Sequence, residues 1–484
     1  MEKKSLKLNF VMNMILTMSS FIFPLITFPY ISRILGPSGT GSVSFATSFI
    51  SYFLMFAQLG IPTYGIRVCA QVRDDREKLT RTAHELLIIN LIMSVIVYIV
   101  LFAAIAFIPK LQEEKNLYII ISFTIILTAI GMEWLYKALE QYKYITIRSV
   151  FFKLTALIVM FFLVHERSDY VIYGGITILA SSASNIFNFI NVHKYIDLKP
   201  IGNYNFRRHI KAITVFFAMA CATTIYVNLD NVMLGFMTSD ADVGFYNAAV
   251  KIRTIVLSVV TSLGTVLLPR ASYYVENSLF EEFKRIVKKA LSFVFLLATP
   301  LTVYFIFFAK EGIFFLSGNH YANSIIPMQI IMPTVLIAGV SNITGIQMLV
   351  PLGKEKIVLY SEIVGAIVDI GINVILIPRF ASIGAAIGTL VAEIFVLLVQ
   401  IIAIRQAAKE FFRQIQYFRI LIALVLGSAA SLWVKTLELG NFLTLIISSV
   451  LFFGVYGIFL LLRREEMIVE IWNTVINKVF KKTL

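Results

Sequence analysis

The sequence predicts an all-α polytopic membrane protein of fourteen transmembrane helices, and three observations carry that prediction. Hydrophobic residues make up 58% of the 484 residues and charged ones only 14%, against roughly 25% charged in an ordinary soluble domain. The apolar residues gather into runs long enough to cross a bilayer, at about 20 residues per crossing. The Lys and Arg residues behind the net charge of +14 fall between those runs and concentrate in alternate segments, the pattern of the positive-inside rule.

Taken in order, the spans are expected near 8–32, 42–66, 84–108, 117–136, 145–164 and 170–193, then 212–237, 243–268, 290–309, 324–349, 357–377 and 383–404, with a last pair near 418–434 and 441–462. The first follows Met1-Glu2-Lys3-Lys4 and has no small-residue cleavage site behind it, so it is expected to be a retained helix and not a signal peptide. Basic segments at 67–81, 194–211 and 270–289 set the expected orientation, with both termini in the cytoplasm. Within the last of these, 279–287 alternates apolar and charged residues as a surface amphipathic helix would, and the tail 463–484 does the same.

An internal repeat divides the chain. Leu35-Gly36 precedes Gly41-Ser42-Val43-Ser44-Phe45-Ala46, and about 200 residues later Leu234-Gly235 precedes Gly244-Phe245-Tyr246-Asn247-Ala248-Ala249. A second echo pairs the basic loop at Lys143 and the later Gly175 with Lys356 and Gly388. Equal spacing argues for two six-helix lobes in the same orientation, an arrangement used for alternating access. The expected division is therefore an N-terminal lobe at 1–205, a C-terminal lobe at 206–404, helices 13 and 14 at 405–462 and an amphipathic cytoplasmic tail at 463–484. Pro24 and Pro29 bend the first span by removing backbone donors.

Several classes fall away at this point. Basic residues spread over many short segments do not form the single face a nucleic-acid binder needs. Cys69 and Cys221 make no disulfide framework, and the five histidines show no metal-ligand spacing. No cofactor is expected.

The informative residues are charges inside apolar runs. Lys251 and Arg253 lie within 243–268 and Asp230 within 212–237. A charge at mid-bilayer costs roughly 2.5–3.5 kcal/mol even on the lenient insertion scale, so these positions point to a polar cavity or to mutual pairing. Lys251 and Arg253 sit about 12 and 15 Å below the outer start of their helix, too deep for easy snorkelling. Arg253 is the better phosphate ligand, because its guanidinium forks onto two oxygens. Lys251 either shares that role or locks to Asp230. Asn228, Asp230 and Asn231 form a polar cluster, in which Asp230 is a candidate for coupling to H+ or Na+. Glu362 and Asp369, seven residues apart and so on one helix face, are further candidates for ion coupling beside a default role in holding the lobe together. Glu133, Lys153 and Glu393 are read as lobe-stabilising.

The segment Pro29-Tyr30-Ile31-Ser32-Arg33-Ile34-Leu35-Gly36-Pro37 with Gly41, then Leu59-Gly60-Ile61-Pro62 with Gly65-Ile66-Arg67, resembles the opening of a known family. Arg73-Asp74-Asp75 follows in the loop. Asp230-Asn231-Val232-Met233-Leu234-Gly235, Val243-Gly244-Phe245-Tyr246 and Ala248-Ala249-Val250-Lys251-Ile252 resemble its seventh and eighth helices. The family is the Wzx-type oligosaccharide flippases of the multidrug/oligosaccharidyl-lipid/polysaccharide superfamily, and the likeness covers essentially the whole chain. It implies a transporter with no enzymatic chemistry that carries undecaprenyl-pyrophosphate-linked sugar units from the inner to the outer leaflet of a bacterial plasma membrane. The bilayer and the lipid-linked oligosaccharide are the implied partners, with a polymerase and glycosyltransferases of the same pathway as further ones. Substrate contact is implied for Lys251 and Arg253, and for Arg33, which matches the family's arginine at the outer end of the first helix; Asn228 and Asn231 are polar partners. Two other functions stand beside this one. A cation-coupled multidrug exporter would need cavity carboxylates in place of the cationic eighth helix. A membrane polymerase or glycosyltransferase would need a long outer loop, whereas the longest expected here, 310–323, is short.

Overall fold

The computed structural model describes residues 6–469 other than Gln414 and Glu466, and these form helices joined by turns and short connections, with no strand among them. Two compact units, 1–244 and 245–484, account for the chain.

The first unit contains α1 (Leu6–Gln58), α2 (Ile61–Gln71), α3 (Arg76–Phe107), α4 (Pro109–Glu113), α5 (Lys115–Gly131), α6 (Glu133–Ala138), α7 (Tyr142–Leu163), α8 (Tyr170–Ile178), α9 (Asn185–Asn191) and α10 (Arg207–Met237). Helix α1 is two arms joined at Gly36, whose φ of 66° and ψ of −175° leave the helical region. Glycine reaches that φ without strain, and Pro37 restarts the second arm with its φ already fixed. That arm ends earlier than the expected 66, because Leu59 and Gly60 both take positive φ and Pro62 opens α2. Asp75 caps α3, its carboxylate accepting the Lys78 backbone N–H at 3.0 Å. One core joins Ile61, Leu79, Leu86, Trp134 and Ile213; a second joins Ile31, Leu35, Ala156, Met160 and Ile176. Helix α10 packs against α1 and therefore stands with the first 205 residues in one unit.

The second unit takes most of α11 (Asp240–Glu276), followed by α12 (Phe280–Phe307), α13 (Ala309–Ser317), α14 (Ile325–Ile331), α15 (Thr334–Asn342), α16 (Glu355–Phe380), α17 (Ser382–Ala403), α18 (Arg405–Arg413), α19 (Tyr417–Leu432) and α20 (Asn441–Leu462). The segment expected as a separate surface helix at 279–287 is instead the first two turns of α12. Its charges are followed by good helix formers with no breaker before Pro300, so the helix simply continues. The expected outer loop 310–323 is likewise folded, into α13 and a short 3-10 turn. The span expected at 324–349 bends by 44° at Met332-Pro333 and closes with a π-helical turn at Ile343–Leu349. Tyr304, Phe308, Phe452 and Tyr456 centre the core of this unit, onto which Met467 and Ile468 fold back. The rest of the tail expected at 463–484, from Glu470 on, lies outside the described residues.

Among the described residues, 11 helices are long and apolar enough to cross a membrane, or 12 with the bent pair as one span. One of the 11 is a 61-residue stretch over Val11–Gln71, roughly three bilayer cores long, which the break at Gly36 divides. With that division and the 17-residue α5, the helices are consistent with fourteen crossings.

Candidate functional site

In the second unit Arg253 is held by two other helices. Its Nε donates to Thr334 Oγ1 at 2.8 Å and its Nη2 to Glu393 Oε1 at 2.7 Å. Both side chains of the ion pair are largely removed from solvent, Arg253 at 16% and Glu393 at 8% exposure. The favoured phosphate ligand is therefore neutralised by the residue that sequence reasoning assigned to scaffolding, which weakens its long-range pull on an anion. Nη1 lies outside both bonds and can still donate to a ligand. Two residues earlier on the same helix, Lys251 is half-buried.

Asp369 and Glu362 share α16 but not an environment. Asp369 is 2% exposed and accepts Asn373 Nδ2 at 3.2 Å. Gly388 of α17 closes over them: a Cβ there would lie 2.2 Å from Asn373 Oδ1 and 2.8 Å from Asp369 Oδ1. Only glycine lets α17 approach so closely. Glu362 is half-buried and close enough to Glu393 for the two charges to interact. A neighbouring polar chain, missed by the sequence reading, runs from Thr344 to Gln400 (2.6 Å) and on to Ser361 (3.1 Å). The π-helical turn at 343–349 aims Thr344 at this partner; the presence of Gln400 in an apolar run is the signal that could have found it.

In the first unit the polar cluster of α10 separates into three roles. Asn231 Nδ2 donates to Ser48 of α1 at 3.0 Å, Asn228 Nδ2 to the Thr224 carbonyl of its own helix at 3.0 Å, and Asp230 is 7% exposed. Gly235, one turn on from Asn231, would drive a Cβ to 2.2 Å from the Phe45 ring, so α1 and α10 touch without spacing. Arg33 is exposed, and its guanidinium folds back one turn to donate to the Pro29 carbonyl.

Lys153 is the more telling cation. On α7, it donates to Ser19 and Ser20 of α1, both at 2.9 Å, and among the described residues no carboxylate stands within ion-pair distance of it. Hydroxyl dipoles orient the ammonium but leave its charge uncancelled. Arg148, on the same helix, is the opposite case, and sequence reasoning did not single it out. It is 8% exposed and pairs with Glu133 at 3.3 Å while donating to the Ser184 carbonyl at 3.0 Å. Glu85 is also buried, at 0% exposure, and binds Arg208, His209 Nε2 at 2.7 Å and the Asn205 backbone N–H at 2.6 Å. A carboxylate one residue inside an apolar run was the available signal.

The two glycines of the repeat meet directly. A Cβ on Gly41 would lie 1.7 Å from the Asp240 carbonyl oxygen, and one on Gly244 would lie 2.0 Å from that of Pro37. Asp240 reinforces the contact by accepting Ser42 Oγ at 2.8 Å and by an ion pair with Lys110, Nζ to Oδ1 at 3.0 Å.

The family model described as polysaccharide biosynthesis protein matches residues 6–275, more than half of the chain. The chain belongs to this family. Among similar polysaccharide biosynthesis proteins is a relative from Escherichia coli (strain K12) named "Putative O-antigen transporter", 26% identical over 410 residues, or 84% of this chain and 98% of that one. A relative of the same name from Shigella dysenteriae is 25% identical, over 83% of this chain and 100% of that one. The fold is similar to that of a solved structure titled "Lipid II flippase MurJ, inward closed conformation", with a TM-score of 0.74 at 15% identity over 95% of this chain and 100% of the other. A solved structure titled as the inward-facing conformation of a multidrug resistance MATE family transporter of the MOP superfamily gives 0.59 at 15% identity over 80% of this chain and 95% of the other. The expected class, an all-α polytopic membrane protein with a fold like that of MATE transporters, is borne out.

Proposed function

We propose that this polysaccharide biosynthesis protein is a transporter and not an enzyme, and that it flips undecaprenyl-pyrophosphate-linked oligosaccharide repeat units from the inner to the outer leaflet of a bacterial plasma membrane by alternating access, for capsule, O-antigen or exopolysaccharide assembly. The near-full-length similarity to proteins named as O-antigen transporters carries this reading. The cations inside the apolar helices support it. In the first unit Lys153 donates to two hydroxyls, and in the second Arg253 keeps Nη1 outside its two bonds two residues from Lys251; each unit thus offers cationic donors of a kind that suits an anionic lipid headgroup. Arg33, at the surface, is a candidate for first contact, while Asn228 and Asn231 support their helices. Asp230, Asp369 and Glu362 are the candidates for H+ or Na+ coupling, Asp369 being the most sheltered of the three in relative exposure.

Deletion of the protein tests the reading. Complete lipid-linked repeat units should accumulate on the inner leaflet, as scored by their protection from an outside-added sugar-modifying reagent. Units that still reach the outer face while chain elongation stops would assign the protein to polymerisation instead.

A further inference from the structure

The cavity formed by the start of α12, the turn before α16, the end of α17 and the start of α18 has no part in the proposed transport site. Its volume is about 290 Å³, and it lies at the end of the second unit that carries basic segments, the side the positive-inside rule assigns to the cytoplasm. Phe280, Phe283 and Leu352 contribute to an apolar wall, and Lys284, Lys354 and Arg405 supply every charged side chain of the lining. Lys284 is bridged to Glu281 at 2.9 Å. Among the described residues Lys354 and Arg405 make no ion pair, and both are exposed.

The geometry points to a binding site for an anionic phospholipid of the cytoplasmic leaflet, its phosphate on Lys354 and Arg405 and the upper part of an acyl chain on the phenylalanine wall. The charge complementarity is one-sided, since among the described residues no carboxylate is part of the lining. A free inorganic phosphate would gain nothing from Phe280, Phe283 and Leu352, whereas an amphiphile uses both surfaces. The volume matches about ten waters, enough for a headgroup and the first methylenes, with the remaining chain left in the bilayer. Lys288 of α12 bonds Glu410 of α18 at 2.8 Å, which fixes two walls of the cavity relative to each other before any lipid arrives.

The test uses the full chain, purified in detergent and offered phosphatidylglycerol or phosphatidylethanolamine, with retained lipid measured by native mass spectrometry. Selective retention of phosphatidylglycerol is expected, weakened about fivefold for each of Lys354→Ala and Arg405→Ala and preserved in the charge-conserving pair Lys354→Arg with Arg405→Lys. Gel filtration identifies any variant that misfolds; the exposed single change Lys354→Ala then decides. Equal retention of both lipids, or retention indifferent to these cations, overturns the proposal. Displacement of the lipid by inorganic phosphate would make the cavity a simple anion site, and displacement by undecaprenyl phosphate would assign it to the cargo; either result also overturns it. Lipid retention is read without transport, so this outcome is independent of the proposed flipping.

Discussion

Arg253 and Lys153 show how a buried cation's partner decides what it can do. Removing one member of a buried ion pair leaves the other uncompensated, typically at about 3–5 kcal/mol. Arg253→Ala should therefore lower the melting temperature of the purified protein as well as transport, and adding Glu393→Gln should restore much of the former. Full transport by Arg253→Ala would remove it from the mechanism. Lys153→Ala takes away no ion-pair partner, so it should reduce transport at least tenfold, about 1.4 kcal/mol, with membrane levels and melting temperature close to wild type. Unchanged transport would return Lys153 to scaffolding. The depth of both charges was legible in the sequence. Their partners were not, because Glu393 and Ser19 are each more than 100 positions away, and hydrophobic periodicity carries no information about which helices meet.

Helices broke at glycine and proline, at some of these positions inside expected spans, and continued where charge suggested an end. Gly36-Pro37, between the first two expected spans, was readable as a break because positive φ favours glycine, whereas Leu59-Gly60 breaks the chain inside the span expected at 42–66. The turns 280–287 were misread because a basic amphipathic pattern fits both a surface helix and the projecting base of a membrane helix. That base is tied to α18 through Lys288 and Glu410. The hydrogen bond from Lys288 holds the Glu410 carboxyl below its ordinary range. A carboxylate depressed in this way adds stability that is complete above its unfolded pKa, about 4.3, and is lost as the pH falls through the lower folded value. Glu410→Gln should remove that increment at neutral pH, lowering the melting temperature slightly there, and leave it close to wild type below the window, so that the acid dependence flattens; an unaltered profile would show that the link adds nothing to stability.

For the whole molecule, charge and hydropathy specified the class and the approximate spans, while the packing of α10 against α1 needed coordinates. The expected orientation is testable directly. A reporter fused after Asn277, between α11 and α12, should behave as cytoplasmic, and one fused after Ser239, between α10 and α11, as external; reversal of either signal would overturn the topology. Gly244→Ala should impair transport severely, since its methyl would meet the Pro37 carbonyl at 2.0 Å, whereas alanine at the unencumbered Gly454 should be silent in the same assay. The Gly41–Gly244 contact is main chain against main chain, and main chain is chemically the same whatever sugar is being carried. A seal of that kind cannot discriminate between cargoes, so related proteins handling different glycans can keep it intact while their selectivity diverges at side chains elsewhere.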